Sequence, residues 1–207
     1  MKFLLIIPVI LFLIRISRGY FASNVETPDY KVIQSYTNCK IREIPSKIYA
    51  TVSVTGSETQ ATNNAFGILA GFIFWGNKSR ASIAMTAPVI SQQSSEKIAM
   101  TAPVVSTQTK EWVYAVSFLM PSGYTMDTLP IPNDNRITIT QKPAQQVAAI
   151  QFAGYATQGN IDNYRNKLIE ACKQNNISTT GSSIVAQYND PRTPRFMRRN
   201  EIWITVQ

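Results

Sequence analysis

Residues Ala81–Val105 read ASIAMTAPVISQQSSEKIAMTAPVV and contain one seven-residue segment twice. The segment IAMTAPV occupies Ile83–Val89 and again Ile98–Val104, and a polar spacer separates the two copies. Each copy is apolar and ends on a β-branched residue, which is typical of a short strand. Its proline cannot donate to a strand ladder and must lie at an edge, an end or a bulge. The repeat therefore predicts two short strands joined by a surface loop.

Three further motifs surround this repeat. AFGILAGFIFWGN lies upstream at Ala65–Asn77, VSFLMPSGY downstream at Val116–Tyr124, and YNDPRTPRFMRRNEIWITV near the C-terminus at Tyr188–Val206. Taken together, the four motifs resemble those of the SOUL heme-binding family, and the resemblance covers roughly Tyr30–Val206. The resemblance implies a distorted antiparallel β-barrel with two helices packed outside it. It also implies that a tetrapyrrole binds in a shallow apolar groove along the first helix.

The chain repeats on a larger scale as well. Ile48–Val54 alternates apolar and polar residues as a half-buried strand does, and Val147–Phe152 is predicted as a second strand. A glycine, a short polar segment and a helix follow each of them. The sequence therefore predicts an α+β fold from a duplicated strand–helix–strands unit, with pseudo-repeats at about residues 30–120 and 130–207.

The N-terminal segment has the features of a secretory signal peptide. Its apolar run, Phe3–Ile14, is shorter than the roughly 20 residues that span a bilayer. Small residues precede a cleavage point after Gly19, although cleavage as late as residue 23 also fits. We therefore expect residues 1–19 to be removed and residues 20–207 to form one secreted, extracellular domain. Arginines that follow the apolar run leave an uncleaved membrane anchor as the alternative.

Charge and composition limit the classes of function. The chain has 20 basic and 12 acidic residues, a net charge of +8, and no histidine. A mild positive balance favours anionic ligands, but no run of Lys or Arg suggests a nucleic-acid partner. Without histidine, paired carboxylates or metal-ligand spacing, the sequence predicts neither an enzyme nor a metal site. An enzyme that acts on tetrapyrroles remains the less favoured alternative.

The first helix carries the main functional prediction. Ala65–Trp75 contains no charged or strongly polar residue, so it is either buried or faces something apolar. The residues expected to pack on the sheet are Phe66, Leu69 and Ile73. The residues expected to form a groove on the far side are Gly67, Ala70, Gly71 and Phe74. Small residues there leave room for a flat ligand on which Phe74 stacks. The alternative is a helix covered by loops or by a partner chain.

Heme or another tetrapyrrole is the expected ligand, as cargo and not as a catalytic cofactor. Because histidine is absent, we expect hydrophobic capture without strong ligation of the iron. Met85 and Met100 are more typical of a core than of iron ligands. Family members are thought to pair the ligand's propionates with basic residues on this helix, whereas Ala70 and Gly71 are uncharged here. The substitutes that we predict are Lys78, Arg80 and Arg195, although the C-terminal arginines also fit a structural role beside Glu201.

Other features bear on processing and partners. Cys39 and Cys172 either form a disulfide or remain buried thiols. Asn77 and Asn176 each begin a glycosylation sequon, which agrees with secretion. We expect a monomer that carries, buffers or scavenges a tetrapyrrole. The second hypothesis is an interaction module that docks the same apolar helix on a protein or a membrane.

Overall fold

A computed structural model describes residues 26–79, 95–189 and 193–207. The predicted signal peptide, the first IAMTAPV copy with Met85, and Arg80 lie outside the described residues.

Eleven strands and two α-helices follow one another in the described chain. The strands are β1 (Lys31–Ser35), β2 (Lys40–Ile44), β3 (Lys47–Thr55), β4 (Asn77–Lys78), β5 (Val104–Lys110), β6 (Val113–Leu119), β7 (Ile131–Pro132), β8 (Thr138–Lys142), β9 (Gln145–Ala153), β10 (Thr179–Gln187) and β11 (Arg199–Val206). The helices are α1 (Glu58–Phe74) and α2 (Gln158–Gln174). A short 3-10 helix, Arg195–Met197, precedes β11.

Nine strands form one antiparallel sheet, in the order β1-β2-β9-β11-β10-β5-β6-β3-β8, while β4 and β7 pair separately. β10 pairs with β5 near the middle, and from this pair the order runs outward as β10-β11-β9 on one side and as β5-β6-β3 on the other. One unit is β3–α1–β5–β6 and the other is β9–α2–β10–β11, and each contributes its strands in the same arrangement. The predicted α+β barrel built from a duplicated unit is therefore confirmed.

The turn from first strand to helix is the same in both units. Gly56 and Gly154 follow β3 and β9 with φ of +139° and +102°, values that side-chain-bearing residues rarely adopt. The next helix then begins at an N-cap hydroxyl, that of Ser57 in α1 and of Thr157 in α2. Each hydroxyl accepts from a backbone N–H that the first turn leaves without an intrahelical partner.

The strand alternation gives the sheet two different faces. The outer face carries the helices: α1 packs on β3 and β6, and α2 packs mainly on β9 and β11. A first core cluster lies beneath α1 and a second beneath α2. The inner face has a third cluster, which includes Tyr49, Val105, Val147 and Trp203. Strand residues thus alternate between a helix-covered core and the barrel interior.

Two sequence predictions about elements are wrong. The second IAMTAPV copy is mostly irregular and joins β5 only at Val104, so a hairpin of two such strands does not form from it. Before Val104, the described backbone of this copy bonds to Ile73 from Ile98 and forms a bridge from Thr101 to Glu26. Helix α1 also begins at Glu58, within the polar segment that was expected to lead into it. The reason is the capping box, in which Ser57 and Gln60 bond reciprocally and start the helix early.

Candidate functional site

The C-terminal end of α1 is fixed by a tight glycine turn. The backbone N–H groups of Trp75 and Gly76 both donate to the carbonyl oxygen of Gly71, at 3.1 and 2.7 Å. A Cβ at residue 76 would lie only 2.9 Å from that same oxygen, so only glycine fits. The chain therefore leaves the helix sharply, directly beside the small residues of the predicted groove.

One face of α1 is sealed against the sheet. Its buried residues are Glu58, Ala61, Ala65, Leu69, Phe72 and Ile73. Leu69 and Ile73 pack as predicted, and Phe72 joins them. Phe66 is only half-buried and meets Phe118 edge-on, with 5.3 Å between the ring centroids. The helix is thus held by its apolar packing, which leaves its opposite face available.

The opposite face carries the four predicted groove residues. Gly67 is exposed, and no described atom beyond its own helix backbone and chain neighbours lies within 4 Å of the position that a Cβ would occupy there. The corresponding position at Gly71 meets only Nε1 of Trp75, at 4.0 Å. Ala70 and Phe74 are half-buried beside them. Within the described chain, this strip of α1 is an open shelf lined by small residues, which we call the α1 shelf.

Two aromatic rings close the C-terminal end of the α1 shelf. Phe74 stacks on Trp75, with centroids 5.7 Å apart and ring planes inclined by 26°. Phe74 also packs against the core, whereas Trp75 is 69 % exposed. The ring offered to solvent is therefore that of Trp75, and Phe74 supports it from behind. Sequence reasoning assigned the stacking role to Phe74 because periodicity alone does not show which ring reaches the surface.

Lys97 is a cation at this end of the shelf that sequence reasoning missed. Its Nζ lies 5.9 Å from the centroid of the Phe74 ring, and its side chain is exposed. Ile98 N–H donates to the carbonyl oxygen of Ile73 at 2.8 Å, which ties this segment to the end of α1. The sequence offers one signal for Lys97, which is that it lies directly before the second IAMTAPV copy.

A buried network holds the segment that carries Lys97. The Asn77 amide donates to the carbonyl oxygens of Phe72 and Glu96, at 2.7 and 2.8 Å, and accepts from the Glu96 N–H at 2.9 Å. The Glu96 carboxylate accepts from the Tyr124 hydroxyl at 2.7 Å. Burial and the adjacent carboxylate raise the pKa of Tyr124 to about 12, so this hydroxyl stays protonated and continues to donate. The backbone segment that carries Lys97 is therefore held in place by hydrogen bonds.

Comparisons with known proteins show the family of this chain. The family model described as SOUL heme-binding protein matches residues 25–205. This chain belongs to the SOUL heme-binding protein family. Two relatives are proteins named heme-binding protein 1, from Xenopus laevis and Xenopus tropicalis, at 26 % and 27 % identity. Each match covers 78 % of this chain and 80 % of the relative.

Solved structures share the SOUL chain's fold at low identity. The C-terminal domain of EcmrR has a TM-score of 0.52 at 15 % identity, covering 86 % of this chain and 98 % of that one. A hydrolase from Listeria innocua has a TM-score of 0.53 at 10 % identity, covering 84 % and 94 %. At such identities the likeness shows the architecture alone and carries no activity to this SOUL member.

The predicted propionate partners lie in different places. Lys78 is exposed on β4, directly after the shelf. Arg195 belongs to the other half of this SOUL protein: its Nε lies 3.6 Å from the Cβ position of Gly154, at the end of β9. Strand β9 packs under α2, so Arg195 does not join the α1 shelf, and that prediction is wrong. Sequence spacing could not show this, because the C-terminal segment folds back onto the second unit.

Arg199, one of the C-terminal arginines, has the structural role beside Glu201 that was left open. Glu201 is fully buried, and its carboxylate accepts from Arg42 Nη1 at 2.8 Å and from Arg199 Nη2 at 2.7 Å. Tyr188 and Trp203 also donate to it, at 3.0 and 2.7 Å. Burial opposes ionisation, but the two guanidiniums and these donors keep the pKa of Glu201 below its usual range. The cluster therefore stabilises the barrel and is not a ligand grip.

Three other predictions concern surface chemistry. The Asn77 amide is buried and fully hydrogen-bonded, which is incompatible with a glycan on its nitrogen in the folded protein. Asn176 is exposed in the turn after α2, so that sequon stays a prediction. Met100 is 36 % exposed and lies outside the core in which it was expected.

The two cysteines share the core beneath α2. Cys39 and Cys172 are both buried, and both are free thiols and not a disulfide. Burial, with a smaller contribution from Cys39, raises the pKa of Cys172 to about 11, so its thiol is unreactive at neutral pH. The alternative of buried thiols is the one that the structure shows.

Two searches of the described residues bear on the remaining alternatives. No three His, Cys, Asp or Glu side chains in ranges 26–79, 95–189 and 193–207 come together as metal ligands. In the same ranges, no helix combines the length and the apolar character that crossing a bilayer requires.

Proposed function

We propose that this SOUL family member binds heme or another tetrapyrrole on the α1 shelf. The observation that carries the proposal is the space that the described residues leave open above Gly67 and Gly71, next to the exposed ring of Trp75. A flat macrocycle can approach a helix closely only where side chains are short, and an adjacent indole offers a stacking surface. Membership of a heme-binding family supports this class of ligand.

The ligand is held by apolar contact and not by a histidine. The chain contains no histidine, so the commonest axial ligand of heme iron is missing. One face of the macrocycle lies on Gly67, Ala70 and Gly71 and on the indole of Trp75. The residues fit the ring system, and Lys97 and Lys78 are the nearby cations for its carboxylates. Specificity for iron is accordingly low, and iron-free porphyrins bind as well.

The biological role that follows is that of a secreted carrier, buffer or scavenger. This part of the proposal depends on the sequence, which begins with a predicted signal peptide and lacks histidine for a catalytic triad. The family match begins at residue 25, after that segment. We infer binding without turnover and a monomeric extracellular protein.

A second candidate is an interaction module that uses the same surface. Ile131 pairs with Lys78, three residues after Trp75, and is 46 % exposed, so apolar side chains other than that of Trp75 are offered to solvent near this end of α1. Flotation with lipid vesicles distinguishes the two candidates. Binding to vesicles that porphyrin does not displace favours the interaction module, whereas a porphyrin-dependent spectral change favours the first proposal.

The direct test is a titration of hemin into the protein, followed by the Soret band and by tryptophan fluorescence. Gly71→Arg places a long side chain across the shelf, and we expect it to weaken hemin binding at least tenfold. Gly159→Arg is the matched control: this helical glycine of α2 also has an unobstructed Cβ position. Arginine is a better helix former than glycine, so both variants should fold. Unchanged hemin affinity in Gly71→Arg would move the site elsewhere.

A further inference from the structure

The inner face of the sheet contains a cavity that is separate from the α1 shelf. The volume of this cavity is about 430 Å³. That size lies within the roughly 300–1,000 Å³ typical of small-molecule sites. Strands from both units contribute to its wall. It is therefore a site of the assembled barrel, separated by the sheet from the outer face that carries α1.

The cavity has a buried floor and a hydroxyl-rich rim. The floor includes Tyr49, Val105, Ser117 and Trp203, all of which are buried. The exposed rim residues are Thr109, Thr138, Thr140, Lys142 and Ser182. The floor thus offers two aromatic rings and an aliphatic side chain to an apolar body. The rim offers hydroxyl groups that both donate and accept hydrogen bonds.

Tyr49 has a hydroxyl that lines the cavity and has no hydrogen-bond partner in the described chain. Its side chain lines the cavity and only 6 % of the residue is exposed, yet its hydroxyl makes no hydrogen bond to any residue of the described chain. Its neighbours are satisfied: Ser117 bonds Thr51 at 2.8 Å, and Trp203 donates to Glu201. Burial raises the pKa of Tyr49, so its hydroxyl is a permanent donor at neutral pH. The hydroxyl is reachable from the cavity, so an acceptor on a ligand would give this donor a partner.

The charge around the cavity selects the ligand. Lys142 is the ionisable cation of the cavity wall, and its Nζ lies 5.1 Å from the centroid of the Tyr49 ring. Beneath the floor, the carboxylate of Glu201 is outnumbered by the guanidiniums of Arg42 and Arg199. The field in the cavity is therefore positive, and it favours an anion.

We propose that this cavity binds a small organic carboxylate. Its carboxylate accepts from the Tyr49 hydroxyl and faces Lys142, while its apolar body lies on Trp203 and Val105. The site is independent of the tetrapyrrole shelf, because the sheet lies between them. The SOUL fold of this chain thus presents two sites of different chemistry, a macrocycle shelf outside and a carboxylate cavity inside.

The test is isothermal titration calorimetry of the full protein with 2-naphthoate, compared with its neutral analogue 2-naphthamide. We expect one saturable site for the carboxylate and much weaker binding of the amide. Tyr49→Phe removes only the hydroxyl and should weaken 2-naphthoate binding at least tenfold, the effect of losing a hydrogen bond to a charged group. Lys142→Gln should weaken it severalfold, while Lys110→Gln, a matched lysine change outside the cavity wall, should not.

The results of these titrations distinguish the carboxylate cavity from the α1 shelf. Gly71→Arg should leave 2-naphthoate binding unchanged, and hemin should not displace 2-naphthoate. Undetectable binding to the unaltered protein, equal affinity for the amide, or unchanged affinity in Tyr49→Phe would each overturn the proposal. Displacement by hemin would also overturn it, since the two ligands would then share one site. If Gly71→Arg loses hemin binding but keeps 2-naphthoate binding, the result supports the shelf and leaves the cavity proposal intact.

Discussion

Trp75→Ala is the sharpest probe of the α1 shelf, because this ring is exposed and its removal leaves the core untouched. A tryptophan side chain presents about 200 Å² of surface, so 69 % exposure leaves about 140 Å² free. A flat ligand on one ring face covers roughly half of that, or about 70 Å². At about 25 cal/mol per Å² this contact contributes about 1.8 kcal/mol, which is about twentyfold in Kd.

The assay is absorbance at the Soret band during hemin titration, since tryptophan fluorescence changes with the substitution itself. Trp112→Ala is the matched control. Trp112 is 59 % exposed, and its carbonyl oxygen accepts from Gly56, beside the N-terminal end of α1. The 17 residues of α1 separate the two ends of the helix by about 25 Å. If Trp75→Ala binds hemin as tightly as Trp112→Ala does, whether or not both bind more weakly than the unaltered protein, the result would refute a shelf at Trp75.

Two further predictions test the structural assignments. Glu201→Gln removes the charge that compensates the buried Arg42, which should lower the free energy of unfolding by about 3–5 kcal/mol and the Tm by roughly 6–20 °C. The exposed control Glu43→Gln should change the Tm little, and a similar small change in Glu201→Gln would contradict the structural role. A colorimetric thiol reagent should detect no reactive thiol in the native protein and both Cys39 and Cys172 after denaturation without reductant. Detection of neither after denaturation would instead reveal a disulfide.

Much of the fold was predictable because short-range sequence patterns indicate its strands and helices. The alternation in Ile48–Val54 predicted β3, and Val147–Phe152 was predicted as the strand that is β9. The glycine after each strand predicted the same turn into a helix. The strand expected for the second IAMTAPV copy did not form. Its backbone bonds to the end of α1 and to Glu26 instead, which are long-range partners that a local pattern does not reveal.

The candidate site was predictable only in part. Glycine and alanine spacing placed Gly67 and Gly71 on the face of α1 away from the sheet, and both have open space above them among the described residues. Lys97 could not be assigned, because it reaches Phe74 only after the Asn77 network has fixed its segment. Arg195 was misplaced, since the C-terminal segment packs beside Gly154 in the second unit.

The sequence by itself determined the duplicated unit, the two helices and the uncharged helix face, because alternation, capping and helical spacing act over a few neighbouring residues. Only the tertiary structure decided which surfaces stay open and which polar groups lack partners. It buried the amide of Asn77, gave Glu201 its two arginines and left the hydroxyl of Tyr49 without an acceptor in the described chain. The physical reason is that these outcomes depend on residues that local patterns do not connect. Asn77 bonds Glu96, Glu201 on β11 bonds Arg42 on β2, and the pairing of β10 with β5 joins the strands that line the cavity at Tyr49.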